Sequence, residues 1–287
     1  MIYIFLSICC SVFVSVLLKL AKRYKIDITQ AIAWNYLSAG ILCYVFYKPQ
    51  ISDLNLSETP YSIYILLGFL LPSLFIVLAA SIRYSGIVRT DIAQRLSLFI
   101  PVFAAFLLFK ETPSLLKSAG IAVGFAAILF SIPWQKEQNE RSSASWVYLI
   151  TVFIGLGIID VFFKQIAQNQ EIPYTTSLQI IFIIAFAISI FTLLVLFAIQ
   201  KIKFGWINVI CGLILGTANF GNILFYLKAH QSLASQPSVV FSTMNIGVII
   251  LGSIVGILIF REKLSRLNFA GIGLAIVSII LVVISRN

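Results

Sequence analysis

The chain has 287 residues, of which 60% are hydrophobic and only 10% charged, with a mean hydropathy of +1.04. A soluble domain carries about 25% charged residues, so water is excluded as the principal solvent and lipid is implied. The net charge of +10 is not a nucleic-acid footprint, because its Lys and Arg stand singly between apolar runs, as interfacial anchors and topology signals do.

A membrane-spanning helix needs about 20 mostly apolar residues. Ten such segments are predicted, over 2–20, 29–47, 61–82, 88–109, 114–132, 146–166, 173–199, 206–227, 233–260 and 267–284. The first lacks a basic leader and a small-residue cleavage site and reads as a retained helix. It carries Ser7, Ser11 and Ser15 but no acid. The second holds Trp34 and Asn35, and the third holds Pro72, predicted to kink it. The fourth opens RTDIAQRLS, placing Arg89, Asp91, Gln94 and Arg95 before the apolar run Leu96–Phe109. The fifth and ninth contain the small-residue pairs Gly120/Gly124 and Gly252/Gly256, expected at close helix contacts. The sixth carries Asp160 and Lys164, and the eighth carries Thr217, Asn219 and Asn222. The ninth opens SLASQPSVVFSTMN, with Gln236, Ser242, Thr243 and Asn245 ahead of Ile246–Phe260. The longest polar connections are Lys48–Pro60 and Pro133–Ser145.

Two stretches repeat. LLFKETPSLLKSAGI ends in Ile121, and LIFREKLSRLNFAGI ends in Ile272. One constant offset carries Phe109-Lys110-Glu111 to Phe260-Arg261-Glu262 and Ala119-Gly120-Ile121 to Ala270-Gly271-Ile272. A slightly shorter offset carries Lys19 to Lys164 and Arg83 to Lys228. Residues 1–132 and 146–287 are therefore expected to be two copies of a five-helix unit, joined by a polar linker at 133–145. Five passes are an odd number, so the second copy enters the membrane from the opposite side, as an inverted repeat. The expected fold is an all-α polytopic membrane protein of ten transmembrane helices.

This pattern of apolar run, basic residue, Glu, short turn and Gly-containing helix, found at Phe109-Lys110-Glu111 with Gly120 and again at Phe260-Arg261-Glu262 with Gly271, resembles the drug/metabolite transporter superfamily. The likeness is to its ten-helix EamA type and extends over the whole chain. Arg83-Tyr84-Ser85 followed by Pro101-Val102-Phe103 is similar to that family's passage from third to fourth helix. The resemblance implies a secondary transporter of small metabolites, often an exporter, that uses no ATP. It also implies cytoplasmic termini, whereas most of the Lys and Arg fall on the side opposite the termini, which by the positive-inside rule puts the termini outside. Small multidrug transporters of the superfamily carry an embedded Glu in the first helix; this chain has none.

Polar groups in hydrocarbon are costly and persist where they face a cavity or a partner. Paired polar interruptions in corresponding helices point to a central site. The candidate substrate-binding residues are Arg95, Gln94, Asp91, Asn219, Asn222, Ser242, Asn245, Asp160, Trp34 and Asn35. Asp91 and Arg95 are four apart and can pair, either as a surface ion pair or with Arg95 offering its fork to a carboxylate or phosphate. Asp160 reads either as a proton-coupling or amine-binding acid or as the partner of Lys164. Lys110, Glu111, Arg261 and Glu262 are expected to brace the turns between helices 4–5 and 9–10. Cys9, Cys10, Cys43 and Cys211 lie in apolar runs and His230 is the sole histidine, so neither metal nor cofactor is expected. Whether a proton or ion gradient drives the cycle stays open.

The expected function is transport of a small amino acid-like or other amphoteric or anionic metabolite, in the export direction, by alternating access. A flippase for a lipid-linked sugar or similar amphiphile is the alternative. A membrane-bound transferase would want clustered acids or a His pair, which the sequence lacks. The expected partners are a small-molecule substrate and membrane lipid, and compact loops suggest a bacterial inner membrane.

Overall fold

The computed structural model describes residues 1–24, 26–49, 60–131, 144–199, 201–261 and 265–285. Among these residues the secondary structure is helical throughout, in eleven segments: α1 (Ile2–Arg23), α2 (Ile28–Tyr47), α3 (Tyr61–Ser85), α4 (Ile87–Leu96), α5 (Phe99–Leu107), α6 (Leu115–Ser131), α7 (Ala144–Gln168), α8 (Tyr174–Ala198), α9 (Trp206–Ser232), α10 (Pro237–Phe260) and α11 (Arg266–Ile284). Counting α4 and α5 as one interrupted pass gives the ten expected helices. Eight of them are long and apolar enough to cross a membrane. The others are α6, with 17 residues, and α2, whose apolar run is diluted by Gln30, Trp34 and Asn35. Large apolar side chains such as Phe46, Phe191 and Trp206 remain exposed. In a bundle whose backbone bonds close within each helix, such a surface faces lipid.

The fourth pass breaks where its sequence removes a donor. Pro101 has no N–H for the Ser97 carbonyl, which accepts from Ile100 N instead at 3.0 Å. Pro101 then sits in the first turn of α5, where proline is tolerated. The ninth pass departs from expectation: α10 begins at Pro237 and runs unbroken to Phe260, and residues 233–236 belong to the connection before it. Its polar start is buried rather than unwound. α3 runs as one helix from Tyr61 to Ser85 with Pro72 inside it.

The core draws on both halves, with Tyr36, Leu67 and Val102 packed in one cluster with Phe163, Phe182 and Phe241. α2 packs on α8 and α9, α3 on α7 and α8, α1 on α9 and α10, α7 on α4 and α5, and α6 on α11. Exchanging the first five passes for the second five returns these principal pairings.

Small residues set the closest approaches. A Cβ added at Gly120 would stand 3.1 Å from Val282 N, and one at Gly271 would stand 2.7 Å from Ser131 N. The offset that relates the two glycines also relates Ser131 to Val282. Gly124 packs against Ile246 and Ser278, as expected, but Gly252 faces open space. The tightest seam, between α2 and α9, uses Gly212 and Gly216 against the backbone of Ala31 and Asn35.

Lys110 and Arg261, at equivalent places in the repeated turn, both adopt left-handed backbone, with φ of 51° and 53°. Glu262 lies outside the described residues, as does the linker over 133–143.

Candidate functional site

A cavity of about 380 Å³ lies between the halves, walled by α1, α3, α4, α6, α7, α9 and α10. Its walls are mainly apolar, from residues such as Leu74, Phe75, Ile159 and Val248, with a few polar groups set among them. That composition and size are typical of small-molecule sites, which run from about 300 to 1,000 Å³.

α4 supplies the charged wall. It starts after Gly86, whose φ of 87° suits glycine, and it stops at the Ser97 break. Asp91, Gln94 and Arg95 thus occupy one short helical segment at the start of the fourth pass. Arg95 Nε donates to Asp91 Oδ2 at 2.7 Å, and the two side chains keep 25% and 31% of their surface exposed. The pair forms as the spacing predicts. It uses only Nε of the guanidinium, and the two terminal nitrogens have no protein partner among the described residues.

Across the cavity, Asp160 on α7 accepts from the Tyr226 hydroxyl of α9 at 3.0 Å. It is not the partner of Lys164, because the Lys164 ammonium turns to the Ala234 carbonyl, 2.8 Å away. Asn222 is held by the Ser7 hydroxyl, which lies within hydrogen-bond reach of both its backbone carbonyl, at 3.0 Å, and its Oδ1, at 2.9 Å. Asn245 donates back to the Phe241 carbonyl of its own helix at 3.1 Å. Asn219 is buried, and its amide nitrogen finds no partner among the described residues.

Asp91, Gln94, Arg95, Asp160, Asn219, Asn222 and Asn245 therefore share one cavity. Three further candidates do not line it. Trp34 and Asn35 sit beside the α2–α9 seam, where Gly212 and Gly216 bring the two helices together, and Ser242 is buried one turn before Asn245. Tyr226 and Met244 line the cavity without any polarity signal in the sequence to single them out. Ser11 and Ser15, two of the three serines of the first helix, line it too. A separate groove of about 250 Å³ between α2 and α8, lined by Tyr36, Gly40, Gln179 and Phe182 among others, shares no residue with it. No three His, Cys, Asp or Glu side chains come together among the described residues.

Of the four turn residues, Glu111 is the best tied. Its carboxylate accepts from Lys117 Nζ at 2.7 Å, bracing its own turn. It also accepts from the backbone N–H and the hydroxyl of Ser238, at 2.8 and 2.6 Å, capping the first turn of α10.

The profile of the EamA-like transporter family matches residues 1–132. An uncharacterized protein of Haemophilus influenzae is 42% identical over 276 residues, spanning 93% of this chain and 92% of its own length. A crystal structure of another protein, with 10% sequence identity, shares the fold at a TM-score of 0.74 over 99% of this chain and 96% of its own. The family match, the membrane-length helices and the internal cavity agree, and the chain belongs to the EamA-like transporter family as an integral multi-pass membrane protein.

Proposed function

We propose that this transporter carries a small amphoteric or anionic metabolite, an amino acid or close relative, out across the bacterial inner membrane by alternating access. The observation that carries the substrate class is Arg95: a guanidinium in the wall of an interhelical cavity, oriented by Asp91 and with both terminal nitrogens unengaged among the described residues. An arginine fork of this kind binds a carboxylate in bidentate geometry. The unpartnered amide of Asn219 offers a further donor in the same cavity.

Two halves related by a two-fold axis in the membrane plane would supply the alternation. Supporting this, Lys19 Nζ lies 3.9 Å from the Phe260 ring centroid, and Lys164 Nζ lies 5.8 Å from that of Phe109. The repeat relates both the lysines and the phenylalanines. The two ends differ in packing: Lys164 is fully buried, whereas Lys19 is exposed. Equivalent residues in unequal states are what a transporter open at one end and closed at the other presents.

The test is counterflow in liposomes with labelled amino acids, nucleotides, sugar phosphates and cationic drugs. Uptake of an amino acid or anion that is lost in Arg95→Ala supports the assignment. Normal uptake by Arg95→Ala, or movement of cationic drugs alone, refutes it. Movement confined to lipid substrates would establish the flippase alternative instead.

A further inference from the structure

We infer that the translocation route continues from the cavity past His230, Ser242 and Thr243, and that Glu111 latches it shut by holding Ser238. This deepens the transporter reading and rests on it.

The direction of the route follows from three helices. Tyr226, Asp160 and Asn245 line the cavity. One turn further along α9 is His230, and one turn further along α7 is Lys164. One turn back along α10 are Ser242 and Thr243. These displacements all point to the same end of the molecule, because α9 and α10 are joined there by the connection over 233–236, to which Lys164 is bonded through Ala234. At the other end the cavity reaches Leu18, Asp91 and Arg95.

Packing at the closed end has an unusual cost. His230, Ser242 and Thr243 are buried, yet both His230 ring nitrogens and both hydroxyls lack hydrogen-bond partners among the described residues. His230 is instead packed between the rings of Tyr226 and Phe241, each with its centroid 4.7 Å away. Buried polar atoms in native proteins are nearly always partnered. A run of them along adjoining helices makes sense if water and substrate reach it in another state of the cycle. Lys164 gives the route a basic lining suited to the carboxylate or phosphate of an anionic or amphoteric substrate.

At this end a hydrogen-bonded network ties the halves together, beside the contact of Lys164 with the Phe109 ring. Glu111 comes from the end of the first half's interrupted pass, and Ser238 opens α10 of the second half. Their two hydrogen bonds, with Lys117 neutralising the carboxylate, pin one half to the other. Rocking the halves apart at this end requires those bonds to break.

The test uses the full chain in liposomes, with Cys9, Cys10, Cys43 and Cys211 replaced by alanine and Ser242→Cys introduced. The probe is a charged, membrane-impermeant methanethiosulfonate, applied to each face in turn. With Glu111 intact, labelling is expected to be slow. In Glu111→Gln it should quicken at least ~tenfold from the face bearing the α9–α10 connection. Should Glu111→Gln fold poorly, Lys117→Met and Ser238→Ala are read in the same way. An unchanged rate in a well-folded variant would overturn the latch, and faster labelling from the opposite face would overturn the route. Labelling needs no substrate, so absent counterflow with quickened labelling would count against the transport assignment alone. Robust counterflow with unchanged labelling would count against the latch alone.

Discussion

The ammonium of Lys164 stands 5.8 Å from the ring centre of Phe109, joining the opening helix of one half to the closing turn of the other. Lys164 also donates to the Ala234 carbonyl and has no exposed surface. Lys164→Met keeps the length of the side chain but removes both interactions. Gln168 Nε2 still donates to that carbonyl at 3.0 Å, so loss of the ammonium's bond should cost about 0.5–1.5 kcal/mol, seen as a lower thermal midpoint in detergent. Lys19→Met, at the exposed counterpart, should cost less. Equal losses would refute the inequality of the two ends.

The α2–α9 seam makes a sharper stability prediction. A Cβ at Gly212 would come within 2.6 Å of the Ala31 carbonyl oxygen, which as backbone cannot swing aside. Gly212→Ala should therefore destabilise the protein by about 1–3 kcal/mol through overpacking. Gly252→Ala meets nothing within 4 Å and serves as the control. Its midpoint should stay at or above that of the parent, since alanine is the better helix former.

In the cavity, Arg95→Lys keeps the charge and loses the fork. If a carboxylate is held in bidentate geometry, the half-saturating substrate concentration should rise about tenfold or more, in line with about 1.5–3 kcal/mol for a charge-assisted hydrogen bond. Maximal flux should change less. A lysine variant with unaltered half-saturation would mean that only the positive charge matters.

Tyr226→Phe removes the hydroxyl that donates to Asp160 while leaving the ring that packs on Phe163 and His230. Flux should fall about tenfold with the amount of folded protein unchanged. Full flux would show that Asp160 needs no orienting partner.

Most of the ten passes are legible because an apolar run of membrane length is too long and too greasy for anything but a spanning helix. The charged segment of the fourth pass is legible too, since Asp91, Gln94 and Arg95 stand out in hydrocarbon, and all three line the cavity. Polarity alone does not say which neighbour a side chain meets. Trp34, Asn35 and Ser242 have the same chemistry as the cavity residues but lie against helices or in the closed end. The repeated turn assigns Glu111 to brace its own segment; its second partner, Ser238, is 127 residues away and only the packing of the halves reveals it. The interruption at Ser97 is written in Pro101, whereas the polar start of α10 imitates an interruption that the helix does not make.

The interlocking of the halves bears on how the protein is made. α1 and α2 rest chiefly on α8, α9 and α10, all of which emerge from the ribosome later. The first five helices must then wait in the bilayer with Asn35 and Arg95 short of their final surroundings. An interrupted synthesis would leave a fragment that quality-control proteases can recognise. The same dependence means that the two halves, produced as separate polypeptides in one cell, should protect each other from degradation.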